Sequence, residues 1–225
     1  MLGYTAPRFF PWEPPLNADP LYSRLSRGLE ELGVSLPDSD RQKFIAYVRL
    51  LTKWNNAYNL TAVRDPGEMI TRHVLDSLTL LPYLHGQRQL DIGSGAGLPG
   101  IPLAIARPDL PFTLIDANAK KIRFIVQTIG ELDLKNVDAV QARVENYRPT
   151  HKFDTLMSRA FASIADMLTH TRHLCAPDGR FLAMKGLHPR EELTALPAGY
   201  AVREVVALQV PGLDAARHVA IITPQ

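Results

Sequence analysis

Cysteine is nearly absent from this sequence, since Cys175 is the only one among 225 residues. A single thiol excludes an internal disulfide framework and a cysteine-rich zinc site, and the apolar setting in "HLCAPDG" predicts a core residue at a helix end. Long apolar runs are also missing, so no segment approaches the roughly 18 residues of a membrane span. The first residues lack the charged start and apolar block of a signal peptide. These absences predict a cytoplasmic protein with no membrane partner.

A large excess of charge of one sign is missing too. The net charge is only +2, which permits a polyanionic partner without indicating one, because dedicated nucleic-acid modules are usually more basic. The charge is uneven, however: between positions 170 and 190, one acid, Asp178, stands against four bases, Arg172, Arg180, Lys185 and Arg190. This stretch is either a solvated face or a surface that meets phosphate.

Prolines crowd the start of the chain. Five of them fall within the first 20 residues, where they prevent both a helix and a central strand. We therefore expect an irregular, proline-rich tail over residues 1–20.

Residues 21–86 have helical periodicity and predict an N-terminal helical extension. The first helix covers Leu21 to Leu32. The second follows Pro37, is capped by Asp38 or Ser39, and gives way to a polar loop at "WNNAYNLTAVRDPG". The third covers Glu68 to about Leu84. The positions expected to be buried are Phe44, Val48, Leu51 and Trp54 on the second helix, and Ile70, Val74, Leu78 and Leu81 on the third.

From about residue 87 the pattern changes to short apolar runs that alternate with helical segments. Such alternation predicts parallel strands covered by helices. The last two runs are joined by "PGLDAAR", which is too short for a helical crossover, so these two should pair antiparallel. The predicted strands are Gln89–Ile92, Phe112–Ile115, Val137–Ala142, Phe153–Met157, Arg180–Met184, Tyr200–Val210 and His218–Thr223. This is the α/β, Rossmann-like, seven-stranded sheet of class I methyltransferases, with residues 87–225 as the methyltransferase domain.

The stretch "QLDIGSGAGLPG" fits two glycine patterns at once. Gly95, Gly97 and Gly100 match a dinucleotide fingerprint, in which backbone amides face a pyrophosphate. Gly93, Gly95 and Gly97 match the form found in enzymes that bind S-adenosylmethionine. The apolar strand ends at Ile92, so the tight turn should begin at Gly93, which favours the second pattern.

Two aspartates extend this argument. Asp91 lies at the carboxyl end of the first strand, where a carboxylate suits the ammonium and sulfonium of S-adenosylmethionine and would repel a pyrophosphate. Asp116 ends the second strand and could accept hydrogen bonds from ribose hydroxyls of either cofactor, or cap the next helix. Together the two strand ends indicate methyl transfer.

The absence of certain motifs limits which kinds of atom could accept the methyl group. The place after the fourth strand reads "SRAF" and lacks the Asn-Pro-Pro-aromatic turn common in amino-nitrogen methylation. Cys175, read as a core residue, supplies no nucleophile for pyrimidine C5 methylation. No paired acid and base stand out, which suits guanine N7, whose lone pair needs positioning but no general base.

Several segments, in order, resemble a known family. They are "LLTKWNNAYNLTAVRDPGEMITRHVLDSL", "DIGSGAGLPGIPLA", "QARVENY", "SRAFAS", "GRFLAMKG" and "RHV", and the likeness extends from Leu21 to about Thr223. The chain resembles the bacterial glucose-inhibited division protein B family, the ribosomal RNA small-subunit methyltransferases G. The resemblance implies methylation of N7 of a guanine in the 530 loop of 16S ribosomal RNA, with S-adenosylmethionine as the cofactor.

The resemblance also implies site residues. The cofactor would contact Gly93, Leu98, Val144, Glu145 and Arg159, beside the aspartates and glycines inferred above (Asp91, Gly95, Gly97 and Asp116). Arg159, Arg217 and His218 are candidate catalytic residues at the edge of the site. A structural ion pair is the alternative role for Arg159, and a hairpin-closing pair is the alternative for Arg217 and His218. Arg123, Lys185 and Arg217 are candidates for RNA contact.

One polar cluster on the third helix has two interpretations. Arg72, His73 and Asp76 lie within one turn, so they could hold a metal or pair along the helix surface. We expect helix-surface pairing and no metal.

Competing functions remain open on sequence alone. The same fold could methylate a small molecule or a protein, or the chain could be an RNA chaperone that binds the cofactor without turnover. The partner is expected to be 16S ribosomal RNA, free or within the small subunit or an assembly intermediate, and the protein is expected to be a monomer.

Overall fold

The computed structural model describes residues 19–159 and 161–225. Its strands are β1 (Gln89–Ile92), β2 (Phe112–Asp116), β3 (Val137–Gln141), β4 (Phe153–Ser158), β5 (Cys175–Lys185), β6 (Tyr200–Ala207) and β7 (His218–Pro224). They form one seven-stranded sheet in the order β3-β2-β1-β4-β5-β7-β6. The first five strands are parallel, and β7 is antiparallel to both β5 and β6. The predicted class I methyltransferase sheet is confirmed.

The strand order determines where a ligand can bind. From β1 the chain moves to β2 and β3 on one side, then returns to place β4 on the other side of β1. In open parallel sheets, ligands bind in the crevice at the carboxyl ends of the strands where the order reverses. The carboxyl end of β1 is therefore the expected site.

Strand β5 begins earlier than the sequence predicts. It starts at Cys175 and not at Arg180, and Cys175 pairs with Phe153 of β4. Pro177 to Gly179 are residues typical of a turn, so the sequence did not indicate that the strand begins before them. Cys175 is therefore a buried strand residue and not a helix-end residue, and burial raises the pKa of its thiol to about 12. A thiol with so high a pKa is a poor nucleophile.

Four helices follow the parallel strands or connect them: α5 (Gly100–Ala106), α6 (Ala119–Leu132), α7 (Ile164–Thr171) and α8 (Arg190–Thr194). Short 3₁₀ turns cover Leu81–Tyr83, Val144–Asn146 and Arg172–Leu174. No helix among residues 19–159 and 161–225 is long and apolar enough to cross a membrane.

Two longer helices precede the sheet. Helix α1 (Pro20–Glu31) is capped by Asp19, so the proline-rich tail predicted for residues 1–20 lies, except for its last two residues, outside the described part of the chain. Helix α2 (Asp38–Tyr58) has no side-chain cap at its start. The predicted capping role is therefore wrong: Asp38 is already helical, and its carboxylate accepts hydrogen bonds from Tyr22 and Gln42.

Helix α2 also continues past the predicted break at Trp54. It ends at Tyr58 because Asn59 adopts the left-handed conformation, with φ of 50°. Asparagine tolerates this conformation better than most residues, which makes it a helix terminator.

The third helix consists of α3 (Pro66–Met69), a π-helical segment (Ile70–Leu75) and α4 (Asp76–Leu78). Asp65 caps its start by accepting a hydrogen bond from Glu68 N at 2.8 Å. The helix ends at Leu78 and not near Leu84, and the chain then turns into the 3₁₀ segment that contains Pro82.

The N-terminal helices share a hydrophobic core with the helices of the sheet. Tyr47 and Trp54 of α2 pack against Phe124 of α6, with ring centroids 6.3 and 5.6 Å apart. The same cluster contains Leu25 of α1 and Leu78 of α4, both buried. Burying a large apolar side chain stabilises a fold by about 1.5–3 kcal/mol, so these contacts hold the extension firmly against the sheet.

Candidate active site

The glycine-rich turn begins directly after β1. Gly93, Gly95 and Gly97 have φ of 67°, 59° and 83°, in the left-handed region that favours glycine. A Cβ at Gly97 would lie 2.5 Å from Ile101, so the turn also needs a residue without a side chain there. These three glycines let the backbone fold tightly at the carboxyl end of β1.

Helix α2 supports the turn from below. Tyr47 is fully buried and its hydroxyl donates a hydrogen bond to Ala96 O at 2.7 Å. Burial raises the pKa of Tyr47 well above its usual value, so the hydroxyl keeps its proton. Leu98, the other turn residue expected at the cofactor, is 9% exposed and belongs to the same core cluster as Tyr47.

Asp91 lies beneath the turn. Its side chain is completely buried, and Oδ2 accepts a hydrogen bond from Gly100 N at 2.9 Å. The other oxygen, Oδ1, has no hydrogen-bond partner among the described residues. Burial raises the pKa of Asp91 to about 7, although the bond from Gly100 opposes the shift. A cation placed against this carboxyl would stabilise its ionised form.

Asp116 ends β2 at the mouth of the site. Its Oδ2 accepts from Gly95 N at 3.0 Å and its Oδ1 from Asn118 N at 2.8 Å. The Nζ of Lys121 lies 3.4 Å from Oδ2. Helix α6 is capped by Asn118 and not by Asp116. A carboxylate has about four acceptor positions, so two remain for a ligand such as a ribose diol.

A cavity of about 330 Å³ opens beside these residues. It lies at the carboxyl ends of β1 and β2, and its walls include the predicted residues Gly93, Asp116, Val144 and Glu145, together with Lys121, Arg143 and Phe161. The volume falls at the small end of the range for small-molecule sites.

Val144 and Glu145 lie beyond the end of β3. They form a 3₁₀ turn beyond it, because β3 already ends at Gln141. Val144 is buried and Glu145 is half-buried, so the turn offers an apolar contact and a polar edge side by side.

A cluster of ionic side chains lies at the neighbouring strand end. Asp76, at the start of α4, is only 1% exposed. Its Oδ2 lies 3.4 Å from Nη2 of Arg159, which follows β4, and its Oδ1 lies 3.4 Å from Nε of Arg217, which precedes β7. Burial raises the pKa of Asp76, and the two guanidinium groups oppose this shift.

This cluster corrects the prediction of helix-surface pairing on the third helix. Only Arg72 pairs on the surface, with Glu68 at 2.8 Å. His73 is buried, its Nε2 lies 2.8 Å from Thr61 Oγ1, and burial lowers its pKa to about 4. Among the described residues, no group of three or more His, Cys, Asp or Glu side chains could hold a metal.

The other candidate residues lie around the same edge. His218 opens β7, where Nδ1 lies 3.2 Å from Gly186 O and the ring packs against His188 at 5.4 Å. Lys185 ends β5 and pairs with Glu192 of α8 at 2.9 Å. Arg123 is exposed on α6.

Comparison with known proteins identifies the family. A family model described as rRNA small subunit methyltransferase G matches residues 40–220. The chain belongs to this family.

Relatives with the name ribosomal RNA small subunit methyltransferase G match at high identity. The relative from Enterobacter sp. (strain 638) is 50% identical over 91% of this chain and 99% of its own length. The relative from Nitrosococcus oceani is 53% identical over 89% of this chain and 94% of its own length. Both matches cover nearly the whole length of the relative, and they include the described sheet, turn and helices of this chain.

Solved structures agree on the fold of this family member. The glycopeptide N-methyltransferase MtfA, in complex with S-adenosylhomocysteine, has a TM-score of 0.57 at 10% identity and covers 68% of this chain and 87% of its own. A TehB-like methyltransferase from Corynebacterium glutamicum has a TM-score of 0.54 at 16% identity, over 80% of this chain and 98% of its own. At such identities the likeness concerns the fold alone.

The structure of this methyltransferase adds residues that sequence reasoning missed. The sequence predicts Asp76 on a helix surface, and the predicted site does not include Arg143, Phe161 or Tyr47. Periodicity gives no sign that Asp76 faces inward, because a π-helical segment precedes it and changes which side of the helix it occupies. Phe161 gave a usable signal, since it follows the carboxyl end of β4.

Proposed function

We propose that this protein transfers the methyl group of S-adenosylmethionine to N7 of a guanine in the 530 loop of 16S ribosomal RNA. The observation that carries the proposal is the family match over residues 40–220, with relatives near 50% identity that are named small-subunit ribosomal RNA methyltransferases. The choice of N7 and of the 530 loop follows the resemblance noted in the sequence.

The described residues fit S-adenosylmethionine. Asp116 has acceptor positions left for the ribose hydroxyls, and the surface formed by Val144 and Glu145 suits the adenine. Oδ1 of Asp91 has no hydrogen-bond partner among the described residues. The carboxylate of Asp91 would attract the positive charge of the cofactor. When bound, the cofactor supplies an electrophilic methyl group.

Methylation at N7 requires the guanine to be positioned in line with the methyl group, and the site residues can position it. Guanine N7 has an in-plane lone pair and no proton at neutral pH, so an in-line approach to the methyl group needs no general base. His73 is buried, and burial and the nearby Arg159 charge lower its pKa to about 4, so it stays neutral. Arg159 at the end of β4 and Arg217 before β7 border the place where the base would enter.

The RNA partner is expected to lie along the basic edge. N7 of paired RNA lies in a groove too narrow for side chains, so the guanine must come from a loop or be flipped out. Arg123 is exposed for phosphate contact, whereas Lys185 would have to leave Glu192. We further propose that the protein acts as a cytoplasmic monomer on 16S ribosomal RNA, free or in a partly assembled small subunit.

Cleavage mapping tests this function. A 7-methylguanine carries a positive charge, which makes its ring labile to reduction and its chain open to aniline scission. We expect 16S RNA from cells lacking this protein to lose a single break in the 530 loop, and the wild-type chain to restore it. Asp116→Ala should restore the break only in part, whereas Asp109→Ala, at an exposed carboxylate paired with Arg107, should restore it fully.

A break that persists in the deletion cells would contradict the assignment. Methyl transfer to an extract depleted of RNA would then be measured, because activity there would indicate a small-molecule or protein substrate.

A further inference from the structure

Asp76 connects two arginines from distant parts of the chain. Arg159 follows β4 and Arg217 precedes β7, and each guanidinium lies 3.4 Å from a different oxygen of the same carboxylate. The carboxylate is 1% exposed, while the arginine side chains are 24% and 22% exposed. Each arginine therefore pairs with a buried carboxylate while about a fifth to a quarter of its own side chain stays exposed.

The charges of this group do not cancel. One carboxylate faces two guanidinium groups, so an ionised Asp76 leaves a surplus positive charge at the carboxyl edge of the sheet. Charge-assisted hydrogen bonds are usually about 2.7–2.9 Å long, so the two separations of 3.4 Å are longer than such bonds. Nη1 of Arg217 also donates a hydrogen bond to Ala216 O at 2.8 Å. Nη1 of Arg159 is buried and has no hydrogen-bond partner among the described residues. An oxygen atom of a ligand would complete the group.

Two contacts with the N-terminal extension position the side chain of Arg159. Nη2 of Arg159 donates a hydrogen bond to the carbonyl oxygen of Arg72 at 3.3 Å and also faces Asp76. Both partners belong to the third helix, on either side of the end of its π-helical segment. Segments of this type occur frequently at functional sites. His73, in the same segment, stays neutral near pH 7 and adds no competing cation.

We propose that Asp76 is a positioning residue that holds Arg159 and Arg217 as a single unit. Arg159 belongs to the cofactor side of the site and Arg217 to the RNA side, so the shared carboxylate aligns the two substrates. The ligand of the unit is an oxygen atom of the RNA next to the target base. This inference rests on the proposed function.

A double-mutant cycle tests the unit. Single-turnover methylation of unmethylated 16S RNA would be measured at saturating S-adenosylmethionine for Asp76→Asn, Arg217→Ala and the double variant. Misplacing groups at a reaction centre can cost about 100-fold in rate, and we expect Asp76→Asn to slow the reaction about 10- to 100-fold. Because Asp76→Asn already releases Arg217, the double variant should be no more than about twofold slower than the slower single variant.

Glu68→Gln is the matched control. Glu68 lies on the same helix and forms exposed ion pairs with Arg24 and Arg72, so its loss should leave the rate unchanged. If the effects of Asp76→Asn and Arg217→Ala multiply, Asp76 does not act through Arg217 and the inference is overturned. A wild-type protein that does not methylate 16S RNA would instead overturn the proposed function.

A second variant leaves the buried carboxylate in place. Arg217→Lys keeps the positive charge but removes the Nε that faces Asp76. We expect it to be nearly as slow as Arg217→Ala, with unchanged cofactor affinity by calorimetry. Full activity in Arg217→Lys would mean that charge alone matters, and it would refute the inference even if Asp76→Asn does not fold.

Discussion

Two aspartates that end neighbouring strands have very different surroundings. Asp116 lines the cavity and has a cation, Lys121, within 3.4 Å. Asp91 is completely buried, and one of its oxygens has no hydrogen-bond partner among the described residues. Asp116 can therefore accept hydrogen bonds from a ligand, whereas burial raises the pKa of Asp91 to about 7 and an approaching cation would favour its ionised form.

Asp116→Ala should weaken the binding of S-adenosylmethionine by about 1–3 kcal/mol, the usual cost of losing a charged hydrogen-bond partner. The variant removes the acceptor for a ribose diol and also the acceptor for Gly95 N, which orders the turn. Isothermal titration calorimetry measures the difference. Asp109→Ala should bind as wild type, and equal affinities for all three proteins would exclude Asp116 from the cofactor site.

Asp91 should make cofactor binding depend on pH. Its pKa is raised to about 7, so the empty protein holds a proton there below neutrality. The same shift means that this carboxyl stabilises the fold fully below about pH 4, near the unfolded pKa, and loses that contribution as pH rises through about 7. Burial favours the protonated form of Asp91, whereas a positively charged group of the cofactor would favour the ionised form.

We therefore expect the affinity for S-adenosylmethionine to rise between pH 6 and pH 7.5, below the pKa of about 7.7–8.0 of a free α-amino group. Calorimetry in two buffers of different ionisation enthalpy should detect proton release on binding. Asp91→Asn should abolish both effects. An affinity of the wild type that stays flat over this range would show that Asp91 does not meet the cation.

At the scale of elements, helix α2 supports the cofactor turn through one hydrogen bond. Tyr47→Phe would leave the carbonyl of Ala96 buried without its donor at 2.7 Å, and an unsatisfied buried group costs about 1–3 kcal/mol. We expect a loss of unfolding free energy of that size in urea denaturation, with weaker cofactor binding. Tyr58→Phe, at an exposed position of the same helix, should change neither. A fully stable Tyr47→Phe would contradict the supporting role.

Most strands were predictable because they are short runs rich in apolar residues: β1 has the predicted bounds, whereas β5 begins earlier than predicted. The glycine turn was predictable for a similar reason, since positive φ has few alternatives to glycine. Helix ends were less predictable, because Asn59 and Asp38 could each have served as a cap or as a helical residue. The ionic cluster was not predictable, because it joins residues from three elements whose contacts depend on the assembled fold.

At the scale of the whole molecule, the N-terminal helices complete the site. They supply Tyr47 under the turn and Asp76 between two arginines, while the sheet supplies the strand ends. Lys185, at the end of β5, pairs in the sheet with His218, which follows Arg217. Asp76 at this edge pairs with two arginines, and Asp91 and Asp116 accept hydrogen bonds from backbone amides.

This arrangement predicts how the methyl step depends on pH. N7 has no proton to lose, so at saturating cofactor the single-turnover rate should be nearly flat between pH 6.5 and about 8.5. His73, with its pKa lowered to about 4, does not change charge in this range. Saturation removes the dependence that Asp91 imposes on cofactor affinity. Glu68→Gln should give the same profile, because its ion pairs are exposed and lie away from the cavity. A steep rise with one clear pKa would indicate a proton-bearing acceptor, such as an amino or hydroxyl group, in place of N7.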